Sequence, residues 1–187
     1  MDPRALGWLW VRKRIEMGEI AAGALLYGLT LSLILALIMG VSLALAPDMW
    51  VGDYPLDIRE KYGAMSDRGR RYRPFMGVLF FGAVLLIVGL SSLRLHDVMP
   101  TAPRFTDYLS SNFIVLMVFN LFDLLIADWL VFVTIQPKAV ILPGTVGMAG
   151  YKNYRFHFRG FLIGILFSAV AAAILAGIAL GLGRILM

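Results

Sequence analysis

Apolar residues run almost unbroken through four stretches of this chain, 20–46, 75–93, 113–135 and 160–183, which contain 27, 19, 23 and 24 residues. At about 1.5 Å of rise per residue each stretch reaches about 28 Å or more as a helix, enough to cross a hydrocarbon layer about 30 Å thick. The apolar positions do not alternate with polar ones, and each stretch exceeds the roughly 10 residues of a barrel strand, so helices rather than a closed barrel are predicted. The fold class is therefore all-α: a four-helix transmembrane bundle forming one polytopic domain over 1–187, with two long loops on one face.

Four crossings place both termini on one side of the membrane, side A, and the loops 47–74 and 136–159 on the other, side B. The first stretch follows Arg12-Lys13-Arg14 and ends at Ala44-Leu45-Ala46, which imitates a signal peptide. Its apolar core is nearly twice the roughly 7–15 residues of an export signal, and Pro47 would hinder cleavage, so it is expected to remain as a span. Trp8, Trp10 and Ile15 among those cations predict an interfacial helical lead-in. The side B loops, 28 and 24 residues long, exceed the roughly 12–15 residues usual for a plain connection. Asp53-Tyr54-Pro55 predicts a short helix capped by Asp53 with Pro55 in its first turn. The alternation from Tyr154 to Arg159 predicts an extended stretch, with Tyr154, Phe156 and Phe158 on one side and Arg155, His157 and Arg159 on the other.

Composition agrees with a membrane chain: 60% of residues are apolar, 16% are charged and none is cysteine. Disordered chains, disulfide scaffolds and thiolate chemistry are excluded on that count. His96 and His157 fall outside the four stretches and no His-Glu-x-x-His pattern occurs, so no metal site and no cofactor is predicted. The formal charge is +5, with 10 Lys and Arg on side B against 7 on side A. The larger count places the side B loops in the cytoplasm and the chain in the cell membrane, although Arg12-Lys13-Arg14 pulls the other way. Because the cations are scattered along membrane edges, they suit anionic lipid headgroups and not nucleic acid.

The polar residues inside the third stretch carry most of the chemical information. Asp123 falls near its midpoint, where a carboxylate costs about 2.5–3.5 kcal/mol on insertion scales, and no Lys or Arg lies at that depth. On an α-helix Asn112, Asn120, Asp123 and Thr134 would form a stripe within about 80° of arc. Asp128 would lie roughly 140° away from Asp123 and about 7.5 Å nearer side B, which keeps the two carboxylates apart unless the helix is broken. Thr30, Ser32 and Ser168 are the neutral partners on other stretches. Arg73 or Arg159 is expected to reach Asp128 as an ion pair. Gly160, Gly164, Ser168 and Ala172, and then Gly177 and Gly181, recur at four-residue steps that permit close helix contact.

The segments Asn120-Leu121-Phe122-Asp123-Leu124-Leu125, Asp128-Trp129, Pro143-Gly144-Thr145, Gly147-Met148-Ala149-Gly150-Tyr151-Lys152 and Phe156-His157-Phe158-Arg159-Gly160 resemble a family of uncharacterised prokaryotic four-span membrane proteins. The resemblance covers the second half of the chain. It implies a membrane-embedded third span and a loop returning to the membrane, and it brings no activity with it.

Two functions from different classes fit these letters. One is an accessory or binding component whose side B cations (Arg70, Arg71, Arg73, Lys152, Arg155, His157 and Arg159) contact anionic lipid headgroups, a membrane protein partner or a second copy of the chain. The other uses intramembrane Asp123, with Asn120 and Asp128, for proton or cation transport or for lipid-directed chemistry, and requires a polar cavity beside Asp123.

Overall fold

The computed structural model describes residues 3–186. Its long elements are α1 (Pro3–Leu45), α3 (Asp67–Val98), α4 (Phe105–Phe122) continued by a π-helix (Asp123–Ile135), and α5 (Tyr154–Leu186), with the short α2 (Leu56–Tyr62) on side B. Four segments are long and apolar enough to cross a membrane: Met17–Leu45, Asp67–Val98, Phe105–Ile135 and Tyr154–Gly183. The chain is a multi-pass membrane protein built as an all-α four-helix bundle.

α4 is the central helix, packed against α1 on one side and α5 on the other, while α3 lies chiefly against α1. The core between them is made of Ala24, Leu31 and Leu35 from α1, Ile87 and Val88 from α3, Val115 and Leu116 from α4, and Ala172 from α5. A Cβ at Gly28 would come within 2.6 Å of Val118 Cβ and 3.0 Å of the Val115 carbonyl oxygen. Hydrogen at that position is what lets α1 approach the α4 backbone. Leu162, Leu166, Phe167, Ile174 and Ile178 remain exposed along α5, the distribution expected where lipid, not water, completes the burial.

The helices outrun the apolar stretches at the side B edge. Arg68 to Arg73 form the opening turns of α3, and Tyr154 to Arg159 form the start of α5. The extended reading of Tyr154–Arg159 is thus overturned. Helical periodicity puts Arg155 and Arg159, four apart, on one exposed face and turns His157 alone inward. Asp53 does not cap α2: the helix begins after Pro55 without any side-chain cap, and Asp53 closes a preceding 3-10 segment (Pro47–Asp53). Trp8, Trp10 and Ile15 fall where side chains lie outside the described residues. Of the small-residue series, Ser168 and Ala172 are buried and Gly164 is close to α4, whereas a Cβ at Gly160, Gly177 or Gly181 would touch nothing within 4 Å.

The two side B loops fold onto each other as a cap. Tyr54, Ile58, Leu142 and Tyr151 make a small apolar core, and polar links stitch it: Tyr54 Oη donates to the Val140 carbonyl at 3.0 Å, Leu142 N–H donates to Tyr151 Oη at 2.9 Å, and Gly150 N–H donates to Asp57 at 2.9 Å. Burial pushes the Tyr54 hydroxyl above its ordinary range. Asp48 holds the other edge. Ser66, whose Oγ caps α3 by accepting from Gly69 N–H, donates both its N–H and its hydroxyl to Asp48. Burial alone would raise the Asp48 carboxyl, but the hydrogen bonds from Ser66 and Tyr62 outweigh it and hold the group below its usual value.

Candidate functional site

The third span changes helix type at its most polar point. Asp123 keeps α-region angles, φ −58° and ψ −50°, so the chain does not break there. The Asp123 N–H still bonds to the Phe119 and Asn120 carbonyls, and the π-helix that begins there ends with a bond to the fifth residue back, Gln136 N–H to Val131 O, 2.9 Å. Thr134 follows the same spacing, its hydroxyl donating to Trp129 O at 2.7 Å. Gln136 ends the π-helix in the left-handed region at φ 50°, and its carboxamide donates to the Val133 and Tyr151 carbonyls, tying the span to the cap.

This geometry overturns the α-helical separation of the two carboxylates. A π-helix turns roughly 80° per residue, so five residues carry Asp128 about 40° past Asp123 instead of roughly 140°. Both acids then look toward the same side. Charged or titratable neighbours within electrostatic range of Asp123 are Asp128, His157 and Asp53.

Asp128 is paired, but not with Arg73 or Arg159. Its Oδ1 lies 2.8 Å from His157 Nδ1; the histidine side chain is 5% exposed and the aspartate 28%. Both arginines stand on exposed helix faces, whereas the inward turn of His157 aims its ring at the π-helix. Phe132 packs on that imidazole with ring centres 4.9 Å apart, and Tyr54 and Tyr151 back Phe132 from the cap at 5.0 and 5.5 Å. The other ring nitrogen, His157 Nε2, is buried without a hydrogen-bond partner, and so is Trp129 Nε1. His157 therefore belongs to the interior site and not to the headgroup surface.

Two of the three neutral partners proposed for Asp123 are engaged elsewhere. Thr30 is exposed and bonds back to Leu26 O at 2.9 Å, and Ser32 bonds back to Gly28 O at 2.8 Å. Ser168 is buried on α5. Asn120 donates to the Phe161 carbonyl at 3.1 Å and rests over Gly164, where a Cβ would sit 2.3 Å from its oxygen. That contact fastens α4 to α5, so Asn120 is a helix tie one turn away from the acid.

A second polar layer, nearer side A, went unread in the sequence. Ser91 pairs with Ser111 at 3.1 Å, Ser92 donates to Asn112 Oδ1 at 3.0 Å, and Tyr108 Oη lies 2.6 Å from His96 Nε2. The doublets Ser91-Ser92 and Ser111-Asn112, both placed in helices, were the available signal.

All ten Lys and Arg of residues 47–159 on side B (Arg59, Lys61, Arg68, Arg70, Arg71, Arg73, Lys138, Lys152, Arg155, Arg159) are exposed. Arg70 also pairs with Asp67 and donates to Met65 O at 2.8 Å. Asp53 has an open face, yet enough protein surrounds it that desolvation raises its carboxyl; Arg73 and Arg59 oppose this and Asp128 adds to it. A shallow open depression beside it is lined by Val51, Gly52, Leu56, Arg59, Glu60 and Gly63. It lies in the cap, away from the cavity position that a transport site at Asp123 requires. Among the described residues no group of three or more His, Asp or Glu side chains is placed to hold a metal ion.

No family model, curated protein or solved structure matches the chain.

Proposed function

We propose that this membrane protein is a binding component whose side B cap engages the phosphate groups of anionic lipids, with the cap on the cytoplasmic side of the cell membrane. The observation that carries this reading is the exposure of all ten side B cations around a cap whose two loops are cross-linked by buried hydrogen bonds. Rigidity matters here, because a preformed array loses less entropy on binding than a flexible polybasic tail. Arg155 and Arg159 project from one face of the first turns of α5 beside exposed Tyr154 and Phe158. This combination of aromatic and basic side chains matches the headgroup layer. Juxtamembrane cations contribute about 1 kcal/mol each near an anionic surface. The excess of Lys and Arg on side B supports the cytoplasmic placement.

Native mass spectrometry from mild detergent, with phosphatidylglycerol and phosphatidylcholine added in equal amounts, tests the reading. Preferential retention of the anionic lipid is expected, reduced severalfold in a triple Arg71→Gln, Arg155→Gln, Arg159→Gln variant. Equal retention of the two lipids, or no change in the variant, would overturn it. Orientation is checked separately by protease access to the cap in right-side-out and inverted vesicles.

A further inference from the structure

We propose that Asp128 and His157 form a reversible proton-binding dyad at the side B end of the bundle, electrostatically linked to Asp123 one π-turn deeper in the third span. The geometry is that of an oriented imidazole. Asp128 holds Nδ1 at 2.8 Å and fixes the ring, which leaves Nε2 as the ring atom whose protonation changes the charge. That nitrogen is buried and has no hydrogen-bond partner in the structure. An imidazole serving only as a helix tie would be expected to satisfy both nitrogens, as buried polar groups generally are.

The balance of the step is simple. In the neutral state Nδ1 carries the proton and donates it to the Asp128 carboxylate. Uptake of one proton from side B water gives an imidazolium beside that carboxylate, with no other bond made or broken. Asp128 is partly exposed beside the ring. The charged groups nearest the dyad are Asp128 and Asp123 from the π-helix and Asp53 from the cap, with Arg73 of α3 near Asp53; Arg155 and Arg159 are on the histidine's own helix but on its exposed face. Tyr54 and Tyr151 stand behind Phe132.

The π-helix gives the arrangement its reach. Wider turns are rare and weakly packed, and they recur at functional sites. Here the widening places Asp123 on the side of the dyad, so the charge of the deeper acid and the proton on His157 influence one another.

The test uses the full chain in lipid nanodiscs with nitrogen-15 histidine, His96 serving as the internal reference. The expected result is a His157 ring signal that changes reversibly with pH. The pH at which it changes should fall in Asp123→Asn, because an acidic neighbour has gone. Asp53→Asn is expected to give a smaller shift in the same direction, and it serves if Asp123→Asn fails to fold. A His157 signal that stays unchanged across pH 4–9, or a midpoint that neither substitution moves, would overturn the proposal.

Discussion

The two halves of the third span share one uninterrupted backbone and solve the problem of polar groups in lipid in opposite ways. From Phe105 to Phe122 it is a regular α-helix with Asp107 in its first turn and neutral polar side chains beyond it, which pair across helices: Ser111 with Ser91, Asn112 Oδ1 with Ser92, Tyr108 with His96, Asn120 with a carbonyl of α5, while Asn112 Nδ2 is left unbonded. From Asp123 to Ile135 it is a π-helix that carries two acids, meets a buried histidine and leaves a ring nitrogen unbonded. Uncharged pairs stay satisfied when helices are locked side by side, so the first half can be packed tightly through Gly28 against α1. Ionisable groups gain from a position near water and from adaptable surroundings, and the second half lies under the cap. The first half therefore serves assembly and the second serves charge.

The contrast is broken most forcefully at Gly28. Exchange for Leu forces α1 away from the α4 backbone at Val115 and Val118, and overpacking of this kind typically costs about 1–3 kcal/mol. A Gly28→Leu protein should therefore lose about 3 kcal/mol of stability, the upper end of that range because the obstruction includes main chain. Thermal unfolding in detergent would record this, and an unchanged midpoint would show that the first half is not held by close approach. In the second half the equivalent lesion is Asp128→Ala, which strands His157 in the interior. Breaking a fully buried pair costs about 3–5 kcal/mol; with Asp128 partly exposed, about 2 kcal/mol is expected. Asp128→Asn should recover most of that loss, since a carboxamide oxygen can still accept from Nδ1.

Much of this architecture was legible in the letters. Four apolar stretches became four spans, because in lipid a helix is the only structure that lets a single segment satisfy its own backbone. The helix ends were less legible. Arg68–Arg73 and Tyr154–Arg159 look like loop by polarity, yet both are helical, since headgroup and water tolerate charged side chains on a helix that protrudes. The π-helix left no local mark: the segment has neither Gly nor Pro. That hidden change of pitch misplaced Asp128 on the helical wheel and concealed its partner. The inward turn of His157 was lost with it, because an alternating pattern over six residues was read as extended backbone.

The support beneath the π-helix can be probed more gently through Tyr151. Its hydroxyl accepts from Leu142 N–H at 2.9 Å and pairs with Thr145 Oγ1 at 2.7 Å, and its ring backs Phe132. Tyr151→Phe keeps the ring and strands a buried backbone donor, for an expected loss of about 1–2 kcal/mol. Hydrogen exchange should quicken across Val140–Tyr151 and at Gln136, while Ser111 and Asn112 keep their protection. Equal loosening of both halves would erase the division drawn between them.

The smallest effect separates two acids inside the cap itself. Asp48 has its carboxyl lowered, so it binds protons less readily when folded than when unfolded. Its contribution to stability is fully present above the unfolded value, 3.8, and is lost as pH falls through the lower folded value. Asp53 is raised, so the sign reverses. Its contribution is complete below 3.8 and disappears as pH rises through the folded value. The Ser66 amide signal, which reports Asp48 directly, should therefore titrate with a midpoint below 3.8, while a carbon-13 label on the Asp53 carboxyl should titrate above it. Asp53→Asn should raise the thermal midpoint slightly near neutral pH and leave it nearly unchanged at pH 3. If both carboxyls titrate together near 3.8, the crowding around Asp53 is not felt as desolvation, and the electrostatic continuity from the cap to Asp128 loses its outer member.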